Sequence, residues 1–188
     1  MRLLLYCCKA KPYLYQHFSK EFITLNTYDK DCIWNGKIVA ECDYEVEEIR
    51  YGWYSQNIVP KGDHYYTYYK TSKIEPKEFY KKSCLNWEQL NSYLNDYDSQ
   101  KFEGGYAIHI KNLHIFDEPR DLSEFTTFTD FGKPITKAPQ NMCNVCDDLE
   151  HNCERYILIS IRPEYLVDIL NGNKTIEIRK KVLKDMLR

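Results

Sequence analysis

The chain has 188 residues, 43% of them hydrophobic and 29% charged, with a formal charge of −2 and only seven glycines and seven prolines. That length suits one domain or two small ones, and the composition excludes collagen-like and Pro/Gly-rich low-complexity chains. No apolar run approaches the roughly 18–20 residues of a membrane helix. The opening run, Leu3-Leu-Leu-Tyr-Cys-Cys8, is too short for a signal-peptide core, so a cytoplasmic protein with no membrane partner is expected.

Seventeen tyrosines, eight phenylalanines and three tryptophans supply large apolar area with polar tips. They suit a β-rich core and, at one or two positions, stacking on a ligand. A chain that grips duplex nucleic acid is normally basic, and this one is not. Its charge is uneven, however. Residues 174–188 carry six Lys/Arg against Glu177 and Asp185, a local +4 that leaves −6 on residues 1–173. A basic face on an acidic body fits a compact anion or a short single strand; a solvated lysine-rich tail is the alternative.

In chain order, residues 2–8 read as a strand. Residues 36–49 alternate, with Ile38, Ala40, Cys42, Tyr44 and Val46 on one face and Val39, Glu41, Asp43, Glu45 and Glu47 on a wet one. Residues 50–80, rich in Tyr and interrupted by Gly52, Pro60, Gly62 and Pro76, read as a long, partly extended insertion. Residues 86–95 predict a helix with Asn86 and Gln89 as a capping box and Trp87, Leu90 and Leu94 as its apolar stripe. Gly104-Gly105 breaks the chain, and 106–116 predicts a strand with an irregularity at Lys111-Asn112. Residues 117–155 read mostly as loop, with 126–155 as a long tolerant linker, and 156–160 as a buried strand. Residues 163–171 predict a helix with Pro163 and Glu164 in its first turn, Tyr165, Leu166, Ile169 and Leu170 buried, and Asn171-Gly172 as its stop. A last strand spans 174–179. Mixed strands with two short helices and no regular βαβ alternation predict a β-rich α+β fold, a small barrel with flanking helices, as one domain over 1–188.

Gly172-Asn-Lys-Thr-Ile-Glu-Ile-Arg179 places a cation, a carboxylate and a guanidinium within one turn and strand. A helix stop followed by an exposed ion pair is the plain structural account. Lys174 and Glu177 are expected at the strand's wet end or edge, where their removal would spare the fold.

This segment, with Ile161-Arg-Pro-Glu-Tyr before it, resembles the G-x-K-x-x-E-x-R signature of ASCH domains, members of the PUA-like β-barrel superfamily. Gly172, Lys174, Glu177 and Arg179 match its four fixed positions. Further segments, among them Leu5–Pro12, Gly36–Cys42, Gly105–Leu113, Phe116–Phe125 and Lys137–Asn141, are similar to ASCH-like proteins of phages and prophages. The signature lies near the N-terminus in ordinary ASCH domains and comes last here. The resemblance therefore implies a circular permutation, with Met1 and Arg188 on one side of a single barrel; a swapped dimer is the alternative to a monomer. It also implies a cytoplasmic protein of a bacterial host, with a cleft that takes RNA, a single strand, a nucleotide or a modified base. Gly172, Lys174, Thr175, Glu177, Arg179 and Gln140 would line that cleft. Tyr6 and Trp34 are lesser stacking candidates. One ASCH branch deacetylates acetylcytidine with a Lys-Thr-Glu set whose Thr position is occupied here by Glu177, which speaks against that reaction. If the chain is an enzyme, Lys174 and Glu177 would serve as acid and base of a metal-free ribonuclease. A rival reading, motivated by the Tyr-rich 50–80 insertion, is a counter-defence or regulatory protein whose barrel surface, rather than its cleft, docks on a host protein.

The eight cysteines divide in two. Cys7, Cys8, Cys32, Cys42 and Cys84 lie in apolar segments and read as reduced, buried thiols. Cys143-Asn-Val-Cys146 followed by His151-Asn-Cys153 offers four candidate ligands for a structural zinc, with free thiols as the alternative. His17, His64, His109 and His114 are given no functional role, and His109 and His114, on or beside polar strand positions, read as solvated.

Overall fold

The computed structural model describes residues 1–8, 34–55, 65–96, 101–102, 104–128, 132–147 and 154–187, with backbone alone at 51–55, 65–68, 96 and 101–102. Its strands are β1 (Arg2–Cys7), β2 (Ile38–Glu48), β3 (Arg50–Ser55), β4 (Tyr65–Lys70), β5 (Asn95–Asp96), β6 (Lys101–Phe102), β7 (Tyr106–Arg120), β8 (Phe125–Thr127), β9 (Met142–Asp147), β10 (Glu154–Ile161) and β11 (Ile176–Arg179). Its helices are α1 (Pro76–Ser83), α2 (Trp87–Leu94) and α3 (Pro163–Leu170). The chain divides into two compact units, Met1–Tyr44 with Ile110–Gly172, and Glu45–His109 with Asn173–Arg188. Strands β2 and β7 each contribute residues to both.

In the first unit the strand order is β7-β2-β1-β10-β9-β8. β1 runs parallel to β10 and antiparallel to β2, and β9 is antiparallel to both β10 and β8. Leu3–Leu5 and Ile157–Ile159 are fully buried. Such unbroken apolar runs are what central strands covered on both faces require. Leu4, Tyr6, Tyr156 and Leu158 pack with Ile38, Phe125, Ile135 and Val145. α3 packs against β1 and buries Pro163, Leu166 and Ile169, while Tyr165 and Leu170 stay half-exposed. The alternation expected for β2 holds only in part: Val39 and Glu47, expected on the wet face, are buried, and the pattern shifts at the start of the strand. The register slips between Leu5 and Tyr6, so Ile38 pairs with Tyr6 and leaves the face of Ala40 and Cys42. In β7, Asn112 adopts a φ of 48°, which is the irregularity expected at Lys111-Asn112.

Among the described residues, the stretch 117–155 is not mostly loop. β7 continues to Arg120, a 3-10 turn follows at Leu122–Glu124, and β8 and β9 extend the sheet. Arg120 ties this stretch together. It donates to Glu124 at 2.8 Å and to Asp147 at 3.1 Å, and its guanidinium lies 4.4 Å from the centre of the Phe125 ring. Beyond β8 the Ile135 amide donates to the Phe125 carbonyl, and Pro134 bridges Thr126. Proline has no N–H to carry the ladder further. Among the described residues no pairing returns from β8 to β7, so the fold is strand-rich α+β with an open sheet rather than a closed barrel.

In the second unit β11 pairs antiparallel with the first residues of β7, and β3 pairs with β4. Ile49, Tyr69, Phe79, Leu90, Leu94, Ala107, Ile176 and Ile178 form its core. α2 carries the expected capping box, but Trp87 is exposed and the buried stripe reduces to Leu90 and Leu94. α1 was not expected within 50–80. Pro76 and Glu78 open it and Lys81 and Lys82 close it, as the helix dipole favours. No helix among the described residues is long and apolar enough to cross a membrane. β11 pairs with this chain's own β7. Arg188 lies outside the described residues, and with it the expected placement of the chain ends.

Candidate functional site

The last turn of a helix leaves carbonyls without intrahelical partners. At the end of α1 the segment entering β11 supplies donors. Cys84 turns the chain into the left-handed region, with a φ of 54°. The Thr175 amide then donates to the Lys82 carbonyl at 2.9 Å, and Lys174 Nζ donates to the Ser83 carbonyl at 2.6 Å. A cation at a helix C-terminus also complements the dipole. Lys174 is 2% exposed, so its ammonium is held inside the unit.

From Lys174 a chain of charges runs along β11. Glu177 Oε2 lies 3.5 Å from Lys174 Nζ, and Glu177 Oε1 lies 3.1 Å from an Arg179 guanidinium nitrogen. Glu177 and Arg179 alternate with Ile176 and Ile178, which enter the core, so the two charged residues share the other strand face. Glu177 is buried, and the Arg179 side chain keeps 14% of its surface exposed. The expectation that Lys174 and Glu177 sit at a wet strand end is therefore corrected. Both are buried, because the α1 carbonyls and the two cations replace their water.

The structure brings Lys174, Thr175, Glu177 and Arg179 together in the second unit. Gly172 and Gln140 belong to the first. Gly172, with a φ of 74°, is the left-handed residue that ends α3, and Gln140 is exposed. Tyr6 is buried in the first unit's core, and burial raises its hydroxyl pKa; Trp34 is half-buried in a turn.

A second charged cluster escaped the sequence reading. Glu47, expected on a wet face, is buried; its Oε2 accepts from Ser72 and its Oε1 lies 3.6 Å from Lys73 and 3.8 Å from His109 Nε2. Lys73 also pairs with Glu45. His109, expected in solvent, is largely buried because it shares a strand face with Ile176 opposite it. His114 is exposed, as expected, beside Glu41. Parity with Ala107 was the available signal for His109.

Of the candidate zinc ligands, burial pushes the Cys143 thiol up to about 11, and Cys146 is disulfide-bonded. A disulfide sulfur has no thiolate to offer a metal. His151 and Cys153 lie outside the described residues, as do Cys32, His17 and His64. Among the described residues no three His, Cys, Asp or Glu side chains gather as a metal site. Cys7, Cys8, Cys42 and Cys84 are in no disulfide; Cys7 and Cys42 are buried as expected, whereas Cys8 is half-buried and Cys84 exposed.

Comparison of the chain with protein-family models, curated proteins and solved structures finds no match.

Proposed function

We propose that the second unit binds a nucleotide or a single-stranded nucleic acid at the Lys174–Glu177–Arg179 cluster, as an ASCH-like protein would. The observation that carries this reading is the graded burial of the three charges. Lys174 is sealed against α1 at 2% side-chain exposure, Glu177 bridges at 9%, and Arg179, at 14%, is the one of the three that retains the most surface. A buried ion network is a weak means of stabilising a fold, since apolar residues of like volume commonly do as well. It is an effective means of fixing a guanidinium, whose planar fork suits phosphate oxygens and base edges. Arg179 is then the group that meets the ligand, and Lys174 and Glu177 position it.

The test is fluorescence polarisation with labelled nucleotides and short single strands. Binding is expected for the wild-type chain. Arg179→Lys, which keeps the charge and loses the fork, should weaken it at least tenfold with an unchanged melting temperature, a loss of about 1.4 kcal/mol. Equal binding by the variant, or none by the wild type, would overturn the proposal. Strand cleavage in the same incubations would add a hydrolytic role.

A further inference from the structure

We propose that Glu48, Tyr106 and Arg179 form a site for one guanine nucleotide, with the base on Tyr106, its amino edge at Glu48 and its phosphate at Arg179. The phosphate end rests on the reading just given; the base end rests on the sheet. β7 lies between β11 and β2. On the β11 side Tyr106 is directly opposite Arg179, and Ile108 is directly opposite Glu177. Residues directly opposite share a face, with Cβ atoms about 4.5–5.5 Å apart. On the β2 side the Ile49 amide donates to the Gly105 carbonyl at 2.8 Å, which sets Glu48 beside Tyr106. Ile49 and Ala107 enter the core, and Glu47 faces His109. Alternation therefore turns Glu48 and Tyr106 to the opposite face, the one that holds Arg179. A carboxylate, an aromatic ring and a guanidinium stand in a row across three strands of the second unit.

Burial along this face is graded. Ile108 and Glu177 are buried, Tyr106 and Arg179 are half-buried, and Glu48 is exposed. The row sits where the face opens. Its tyrosine also differs from those that hold the fold. Tyr69 donates to Asn91, Tyr80 accepts from the Tyr69 amide, and Tyr156 donates to Glu154. Among the described residues neither the Tyr106 hydroxyl nor the Glu48 carboxylate has a hydrogen bond or ion pair. A tyrosine ring can stack on any base, so the ring alone does not select. The carboxylate does. It accepts hydrogen bonds and donates none, so it suits base edges that carry amino groups. Guanine presents its ring N–H beside its amino group, two parallel donors that match both oxygens of one carboxylate. Uracil and thymine flank their single N–H with carbonyl oxygens, which the carboxylate charge repels. At the other end, the guanidinium fork that Glu177 holds suits phosphate oxygens.

The experiment measures polarisation of ribose-labelled guanosine monophosphate with the full chain, and its displacement by unlabelled guanosine, inosine and uridine monophosphates and by ribose phosphate. The guanosine nucleotide is expected to compete about tenfold better than the inosine one, which lacks the amino group, and better still than the uridine one. Glu48→Gln should remove that preference and leave displacement by ribose phosphate unchanged. Tyr106→Leu should weaken all three nucleotides about tenfold, while Tyr106→Phe, which keeps the ring, should not. Melting temperatures check that the variants fold, and the guanosine-to-inosine ratio of the wild-type chain tests the base site with no variant at all. Equal affinity for the three nucleotides that still falls with Arg179→Lys would overturn the base site and leave the phosphate site at Arg179 standing. A guanine preference that Arg179→Lys does not touch would support the base site and overturn the phosphate role of Arg179. No binding of any nucleotide by the wild-type chain would overturn both.

Discussion

Replacing Lys174 by Met keeps an unbranched four-atom stem, with sulfur in place of Cδ, and removes the terminal ammonium, so the change tests chiefly the charge. Two contacts vanish, the 2.6 Å hydrogen bond to the Ser83 carbonyl and the 3.5 Å ion pair with Glu177. A hydrogen bond to a charged group contributes about 1.5–3 kcal/mol, and removing one partner from a buried charge pair costs about 3–5 kcal/mol. These overlap, since one ammonium makes both contacts, and the retained stem avoids a cavity. We expect a loss of about 3 kcal/mol. With a urea m-value near ~2 kcal/mol/M, the unfolding midpoint falls by about 1.5 M. A cycle with Glu177→Gln should return a coupling of at least ~1 kcal/mol, because the second change removes the partner that the first strands. Hydrogen exchange should quicken in the last turn of α1, where the Ser83 carbonyl loses its donor. A midpoint within ~0.3 M of wild type and no coupling would refute the anchoring role, and would return Lys174 to the part of a ligand-facing cation.

Three further outcomes follow from the geometry. Gly105→Ala would place a Cβ 2.5 Å from Leu94 Cδ2 and 3.3 Å from the Arg179 carbonyl, so overpacking should lower stability by about 1–3 kcal/mol in urea unfolding. Asn86→Ala removes the side-chain half of the α2 capping box, a loss of about 1 kcal/mol, and Asn86→Ser should recover most of it. Burial pushes the Cys42 thiol from 9.0 to about 12 and the Cys143 thiol to about 11. The folded chain keeps both neutral while the unfolded chain ionises, so their contribution is full below pH 9 and falls away from pH 9 towards about 12. Midpoints measured from pH 8 to 10.5 should decline, and iodoacetamide at pH 8 should label exposed Cys84 well before either; equal labelling of all three would contradict the burial.

Much of the local structure was legible because its signals are local. The capping box at Asn86 and Gln89, the Asn171-Gly172 stop and the apolar runs of β1 and β10 need only neighbouring residues to declare themselves. Where tertiary contacts decide, the sequence was silent. β8 and β9 are short and partly polar, and they are strands because β10 offers a ladder and Arg120 clamps Glu124 and Asp147 across them. α1 has only Phe79 and Ser83 buried, too thin a stripe to stand out beside the tyrosines on either side.

The site shows the same division. The spacing of Lys174, Glu177 and Arg179 puts them on one turn and strand, and this needed no structure. What the spacing hides is which charge faces water. That depends on a helix ninety residues upstream whose end carbonyls draw Lys174 inward. A charged triplet on a strand reads as a solvated surface until a partner for its first member is known. Once Ser83 takes the ammonium, Glu177 is drawn in behind it, and the guanidinium at the far end is the part of the triplet left with surface to offer. On the proposed reading, the order of burial divides the triplet into anchor, bridge and contact group, and it makes Arg179 rather than Lys174 the residue whose replacement should separate binding from folding.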